Sequence, residues 1–182
     1  MSFLLESVEG GAVRGRYSVI GLAPDVIWRA DGAKAEINRN AEREPGGFTP
    51  ESAPTLTSLR ALLKESAIAL PEGLPPMAAG VFGYMGYDLV RQIEQLPQMT
   101  PDALGVPDAI MIRPTLMAIF DSVKDEITIV TPVRPVSGVS AREAYDRAMK
   151  RLHKIVARLD EPLPHAAAAR LDTLALPDPV SN

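Results

Sequence analysis

Four short β-prone runs fall into two pairs across glycine-bearing reversals, and this commits the first forty residues to antiparallel strands. Phe3-Leu4-Leu5 and Tyr17-Ser18-Val19-Ile20 flank Gly10 and Gly11, which can take φ > 0 where the chain turns back. Residues 26–29 and 33–38 flank Asp31-Gly32, a strong hairpin signal, so 25–40 should form a second strand pair. Trp28 lies on that hairpin and is read as a core or edge anchor rather than a ligand contact. Polar groups gather at the mouth of the first hairpin: Glu6, Ser7 and Arg16. A carboxylate, a hydroxyl and a guanidinium together match the ends of an amino acid. Geometry alone favours a blander reading, because an acid and an arginine beside a turn are ordinarily a solvated pair.

Beyond residue 41 the pattern alternates between loops, one helix and further strands. Pro45, Gly46, Gly47, Pro50 and Pro54 mark 42–55 as a loop. Leu59, Leu62, Leu63 and Ile68 recur near helical spacing, predicting a helix from Thr57 or Ser58 that Pro71 ends. Residues 80–87 alternate glycine with apolar and aromatic side chains, a strand that another backbone or side chain can approach closely. A short helix is expected over 88–95, and strands over 109–120 and 126–130 joined by a turn at 121–125. Ser140 should cap a helix over 141–159, with Glu143 at the capping-box position. Ala144, Ala148, Leu152, Ile155 and Leu159 share one face of it, and its basic residues fall largely elsewhere, on a solvated face. Strands outnumber helices, so the expected class is α+β with a largely antiparallel sheet.

With 182 residues, 46% hydrophobic and 23% charged, the chain can bury a real core. A net charge of −4 supplies no basic field for a phosphate backbone, which argues against nucleic acid. Cysteine is absent, which excludes disulfides and thiolate metal sites. His153 and His165 stand apart without a partner at ligand spacing. No apolar run approaches the ~18–20 residues needed to span a bilayer, and the N-terminus lacks signal-peptide features, so no membrane association and a cytoplasmic location are expected.

Catalytic motifs are lacking. Gly80, Gly83 and Gly86 recur every third residue, but no helix N-terminus follows to receive a phosphate, so close packing of strands explains them. The carboxylate pairs Asp125-Glu126 and Asp160-Glu161 fall at a turn and a helix end, where acid-base chemistry finds no cleft. No serine has a histidine at a motif-like position.

The Leu4-Leu5-Glu6-Ser7 stretch with Gly15-Arg16-Tyr17-Ser18-Val19-Ile20-Gly21 closely resembles the start of the large subunit, component I, of anthranilate synthase. Three later stretches agree in order and spacing over residues 3 to 135. They are the segment 80–91 with Glu94 and Leu96-Pro97, then Val106-Pro107-Asp108-Ala109 with Arg113-Pro114-Thr115, then 119–121 leading through 124–127 to Thr131-Pro132-Val133.

The resemblance implies part of the chorismate-binding enzyme fold, in which two antiparallel sheets pack with helices outside. It implies an N-terminal regulatory domain over 1–138, a connecting helix over 139–161 and a linker over 162–182 towards the chain's own C-terminal catalytic domain, with the piece shortened at both ends. The whole enzyme is expected to convert chorismate and glutamine-derived ammonia to anthranilate and pyruvate with Mg²⁺, beside a glutamine amidotransferase subunit, component II. No cofactor is expected in this chain, and alone it should be inactive. By the same resemblance Ser7 and Glu6 line the pocket for the feedback inhibitor tryptophan, and Arg16 aligns with a basic residue near it; a further wall of that pocket comes from the catalytic domain. Two alternatives stand: the corresponding part of aminodeoxychorismate synthase component I, and a stand-alone effector-binding module.

Overall fold

A computed structural model of the chain describes residues 1–6, 15–97 and 104–162. Among the described residues seven strands form one antiparallel sheet: β1 (Phe3–Leu5), β2 (Tyr17–Asp31), β3 (Lys34–Asn38), β4 (Thr49–Pro50), β5 (Phe82–Met85), β6 (Ala109–Asp121) and β7 (Glu126–Val130). Two helices accompany them, α1 (Thr55–Ser66) and α2 (Ala141–Leu159), with a 3₁₀ turn over Tyr87–Gln92. The class is the α+β architecture expected from the sequence.

The two long strands β2 and β6 form the spine, paired from Tyr17 opposite Asp121 to Ala30 opposite Ala109. β1 and β3 attach at opposite ends of the outer edge of β2, and β4 extends the sheet beyond β3. β7 and β5 do the same on the outer edge of β6. The two hairpins read from the sequence thus share a single strand of fifteen residues. Pro24 does not end it, because the register shifts between Pro24 and Val26 and Ala23 takes φ 48° just before. A bulge is where a strand tolerates proline.

α1 covers one face of the sheet, with Leu59 and Leu62 packing on Val26, Trp28, Ala30, Ala35, Ile37 and Ala109. It begins two residues before the predicted start. Thr55 and Ser58 are spent on tertiary bonds rather than on a cap: Thr55 Oγ1 donates to the Gly32 carbonyl at 2.8 Å, and the buried Trp28 Nε1 donates to Ser58 Oγ at 2.9 Å. Leu63 stays exposed, for the core-facing positions are taken by these hydroxyls as well as by leucines; α1 ends at Ser66, short of the expected Pro71, so the exposed Ile68 lies beyond it. On the opposite face Ile27 and Ile112 pack with Ala41 and Phe48. At the far end of the spine Val19, Met117 and Ile119 meet Ala78 from the connection into β5.

The glycine-rich segment forms β5, and its close approach is real. A Cβ at Gly83 would be driven into the Ile110 carbonyl, 2.8 Å from its carbon and 2.9 Å from Met111 Cα. α2 has the predicted bounds, with Ser140 Oγ accepting from the Glu143 N–H at 3.2 Å. Only Ala148 of its apolar face is fully buried; Ala144, Leu152 and Ile155 are half-buried and Leu159 is exposed.

Candidate functional site

Strand pairing decides what the mouth of the first hairpin can hold. β1 ends at Leu5 opposite Val19, so Glu6 leaves the sheet edge and is exposed. Arg16 precedes β2 and turns the other way, across the strand to β6. Its Nε donates to Asp121 Oδ1 at 2.9 Å and its Nη2 to Asp121 Oδ2 at 2.6 Å. The N–H groups of Val123 and Lys124 donate to the same carboxylate at 3.1 and 3.2 Å. Ser122 then donates to the Arg16 carbonyl from its N–H at 3.0 Å and from its hydroxyl at 2.9 Å. Arg16 therefore fastens the start of β2 to the β6–β7 turn by a two-point, charge-assisted grip. Its hydrogen bonds, more than any other cause, bring the Asp121 carboxyl to about 2 against the opposing effect of burial, and Asp121 in turn raises the Arg16 pKa.

Of the three residues expected at the mouth, Glu6 sits at the open end of β1 and Arg16 is held by Asp121. Ser7 lies outside the described residues, as do Gly10 and Gly11 of the reversal. Among the described residues Glu6 makes no ion pair, so the structure does not bring Glu6 and Arg16 together.

β1 is paired over only three residues, and an aromatic stack seats it. Phe3 lies over Gly21, where a Cβ would stand 2.6 Å from its Cζ, and its ring stacks on Phe82 with centroids 4.6 Å apart. The groove beside β1 has a volume of about 500 Å³, with Phe3, Leu5, Phe82, Tyr84 and Ile110 in its wall. Apolar walls thus run alongside β1, whose end precedes Glu6.

A second polar group lies on the spine. The bulge leaves Asp25 out of register, and its carboxylate accepts from Arg113 Nε at 2.8 Å and Nη2 at 2.9 Å. Arg113 Nη1 donates to Glu65 Oε1 at 3.1 Å, joining β2, β6 and α1. Burial works to lower the Arg113 pKa, but the hydrogen bonds and charge of Asp25, with those of Glu65, raise it overall. Sequence reasoning missed this network and the Arg16 to Asp121 clasp. A signal for the first was present, since Arg113 interrupts an apolar strand, where a buried cation requires a counterion. None existed for the second, whose partners are 105 residues apart.

No protein-family model matches the chain. It is 48% identical over 163 residues to anthranilate synthase component 1 of Cereibacter sphaeroides, covering 90% of this chain and 33% of that protein. The chain is a homologue of part of anthranilate synthase component 1. The protein of that description from Mycolicibacterium smegmatis is 38% identical over 173 residues, with 92% of this chain and 32% of the relative covered. The chain thus spans about a third of the length of these curated relatives. The crystal structure of anthranilate synthase component I from Streptococcus pneumoniae superposes with a TM-score of 0.64 at 17% identity, over 86% of this chain and 32% of that one. That likeness supports the fold. No helix among the described residues is long and apolar enough to cross a membrane.

Proposed function

We propose that this chain is the N-terminal, tryptophan-sensing part of an anthranilate synthase component I, acting in tryptophan biosynthesis. The observation that carries the reading is the 48% identity over 163 residues to a component 1 protein. The order of the motifs over residues 3 to 135 supports it. Residues 1–138 are the regulatory domain, 139–161 the connecting helix and 162–182 the linker to a C-terminal catalytic domain. In the complete cytoplasmic enzyme that domain takes chorismate, with ammonia delivered by the glutamine amidotransferase component II, to anthranilate and pyruvate.

Within this reading the three residues of the hairpin mouth have different tasks. Glu6 offers a carboxylate to the ammonium group of tryptophan, Ser7 offers a hydroxyl, and the apolar groove beside β1 accepts the indole. Arg16 acts by position, because its guanidinium is already engaged by Asp121. The pocket is completed by the catalytic domain, so this chain alone binds tryptophan weakly. Tryptophan bound across that seam stabilises one arrangement of the two parts, and only such differential binding can shift activity.

Magnesium belongs to the complete enzyme in this reading. Among the described residues no group of three His, Cys, Asp or Glu side chains stands where it could hold a metal ion, so no step is assigned to magnesium here. Product analysis of the complete enzyme tests the reading: fluorescent anthranilate with pyruvate supports it, and aminodeoxychorismate in their place overturns it.

A further inference from the structure

Arg134 is part-buried and makes no ion pair among the described residues. Arg134, on the connection between β7 and α2, makes a single described hydrogen bond, from Nη2 to the Ser66 carbonyl at 3.3 Å, and its Nε is enclosed without an acceptor. The nearest carboxylates are occupied. Asp25 is held at both oxygens by Arg113, and Glu65 is shared by Arg113 and Arg39. Across the gap Arg151 is tied to Glu42 at 3.2 Å and Arg147 to Glu143. Five guanidiniums thus meet four carboxylates, and of these five Arg134 alone makes no ion pair with a described residue.

Arg134 lines a cavity of about 210 Å³ between α2 and the sheet. Arg147 and Arg151 stand in its wall, and Val136, Val139 and Ala148 make part of it apolar. An apolar cavity of about 150 Å³ is enough to hold a benzene-sized body. Burial, and after it the charge of Arg113, lower the Arg134 pKa, outweighing the charges of Asp25 and Glu65 that raise it.

We propose that this cavity binds one small monoanionic carboxylate with an apolar body, its carboxylate held by Arg134. The excess of one positive charge sets the valence, the planar fork suits a carboxylate, and the valine and alanine wall accepts the rest of the ligand. The site shares no residue with the hairpin mouth and does not depend on the proposed function.

The test uses the 182-residue chain with benzoate as the probe and benzamide as its neutral counterpart, followed by calorimetry and by amide chemical shifts of residues 132–151. Benzoate should bind saturably and benzamide at least about tenfold more weakly, since a charge-assisted bond to a fixed guanidinium is lost. Arg134→Gln should weaken benzoate by about tenfold or more, whereas Arg142→Gln, at an outward-facing ion pair with Asp146, should leave it unchanged. Ala148→Leu, which fills the cavity, should abolish binding and serves as the second variant if Arg134→Gln does not fold. Absence of saturable benzoate binding, equal binding of benzamide, or undiminished binding in either cavity variant would overturn the proposal.

Discussion

Replacing Gly83 by alanine tests whether backbone proximity, and not ligand binding, explains the glycine-rich segment. The added Cβ would stand 2.8 Å from the Ile110 carbonyl carbon and 2.9 Å from Met111 Cα. Carbon atoms prefer about 3.5–4.0 Å and the Ile110 carbonyl oxygen is nearer still, so β5 and β6 must part by more than the roughly 0.7 Å that the carbon contacts alone require. Neither obstacle is the end of a flexible side chain. Overpacking of this kind costs about 1–3 kcal/mol, and stretching the short ladder from Phe82 to Met85 adds about 1 kcal/mol for each hydrogen bond lost. A total near 3 kcal/mol lowers the melting temperature by about 6–12 °C in a chain of this size. Gly80→Ala is the control, for its Cβ would meet only the Phe82 ring, at 3.4 Å, and it should stay within about 0.5 kcal/mol of the parent. Thermal unfolding followed by circular dichroism reads both variants. A Gly83→Ala melting point within about 2 °C of the parent would refute the close-approach argument.

The Arg16 clasp gives a pH dependence whose sign is fixed. Asp121 is depressed to about 2 in the folded chain from an ordinary value near 3.8, so its contribution is complete above pH ~4 and disappears as the pH falls towards ~2. Asp121→Asn should lose this acid-dependent part of stability, and urea midpoints with an unchanged slope between pH 4 and pH 2 would contradict the clasp. Ser58→Ala should destabilise by about 1–3 kcal/mol, because the buried Trp28 Nε1 loses its acceptor; a midpoint equal to the parent's, by tryptophan fluorescence, would show that another acceptor serves. The 182-residue polypeptide alone should form no anthranilate from chorismate with ammonia or glutamine, and fluorescence above a protein-free blank would contradict that. It should also self-associate through exposed apolar groups such as Tyr87 and Leu104, 82% and 81% accessible, and a monomer by light scattering over a wide concentration range would count against this.

Local signals carried most of the fold. Asp31-Gly32 predicts the β2–β3 turn because Gly32 takes φ 54° there, and Ser140 with Glu143 predicts the start of α2 because the bond is made within one turn. The β6–β7 hairpin is legible for the same reason. What escaped is long-range: the run at 17–20 and the strand pair over 25–40 read as separate, yet a bulge carries β2 through Pro24 between them, and the bulge is fixed by pairing with β6 about ninety residues later. Leu63 fits the helical period of α1 but not its buried face, since Thr55 and Ser58 take inward positions through partners elsewhere in the chain, and Ile68 lies past the end of the helix at Ser66. At the site, Glu6 and Arg16 are adjacent to the same hairpin in sequence, but only the sheet order shows that Arg16 faces β6. Resemblance assigns Glu6, Ser7 and Arg16 an effector role that geometry alone, offering a solvated pair, does not suggest. The Asp25, Arg113 and Glu65 network could be suspected from one cation in an apolar strand, although its partners could not be named.

The inhibition curve of tryptophan on anthranilate formation, compared between the parent complete enzyme and its Ser7→Phe variant, tests the central claim most directly. If Ser7 lines the effector pocket, the larger side chain fills space the inhibitor needs. The curve should shift to higher tryptophan while uninhibited activity and thermal stability are largely kept. Arg16→Ala, measured beside it, should shift the curve more mildly and also lower stability, because that residue holds the strand rather than the ligand. A Ser7→Phe enzyme with full activity and unchanged tryptophan sensitivity would contradict the assignment of the hairpin mouth as the effector site.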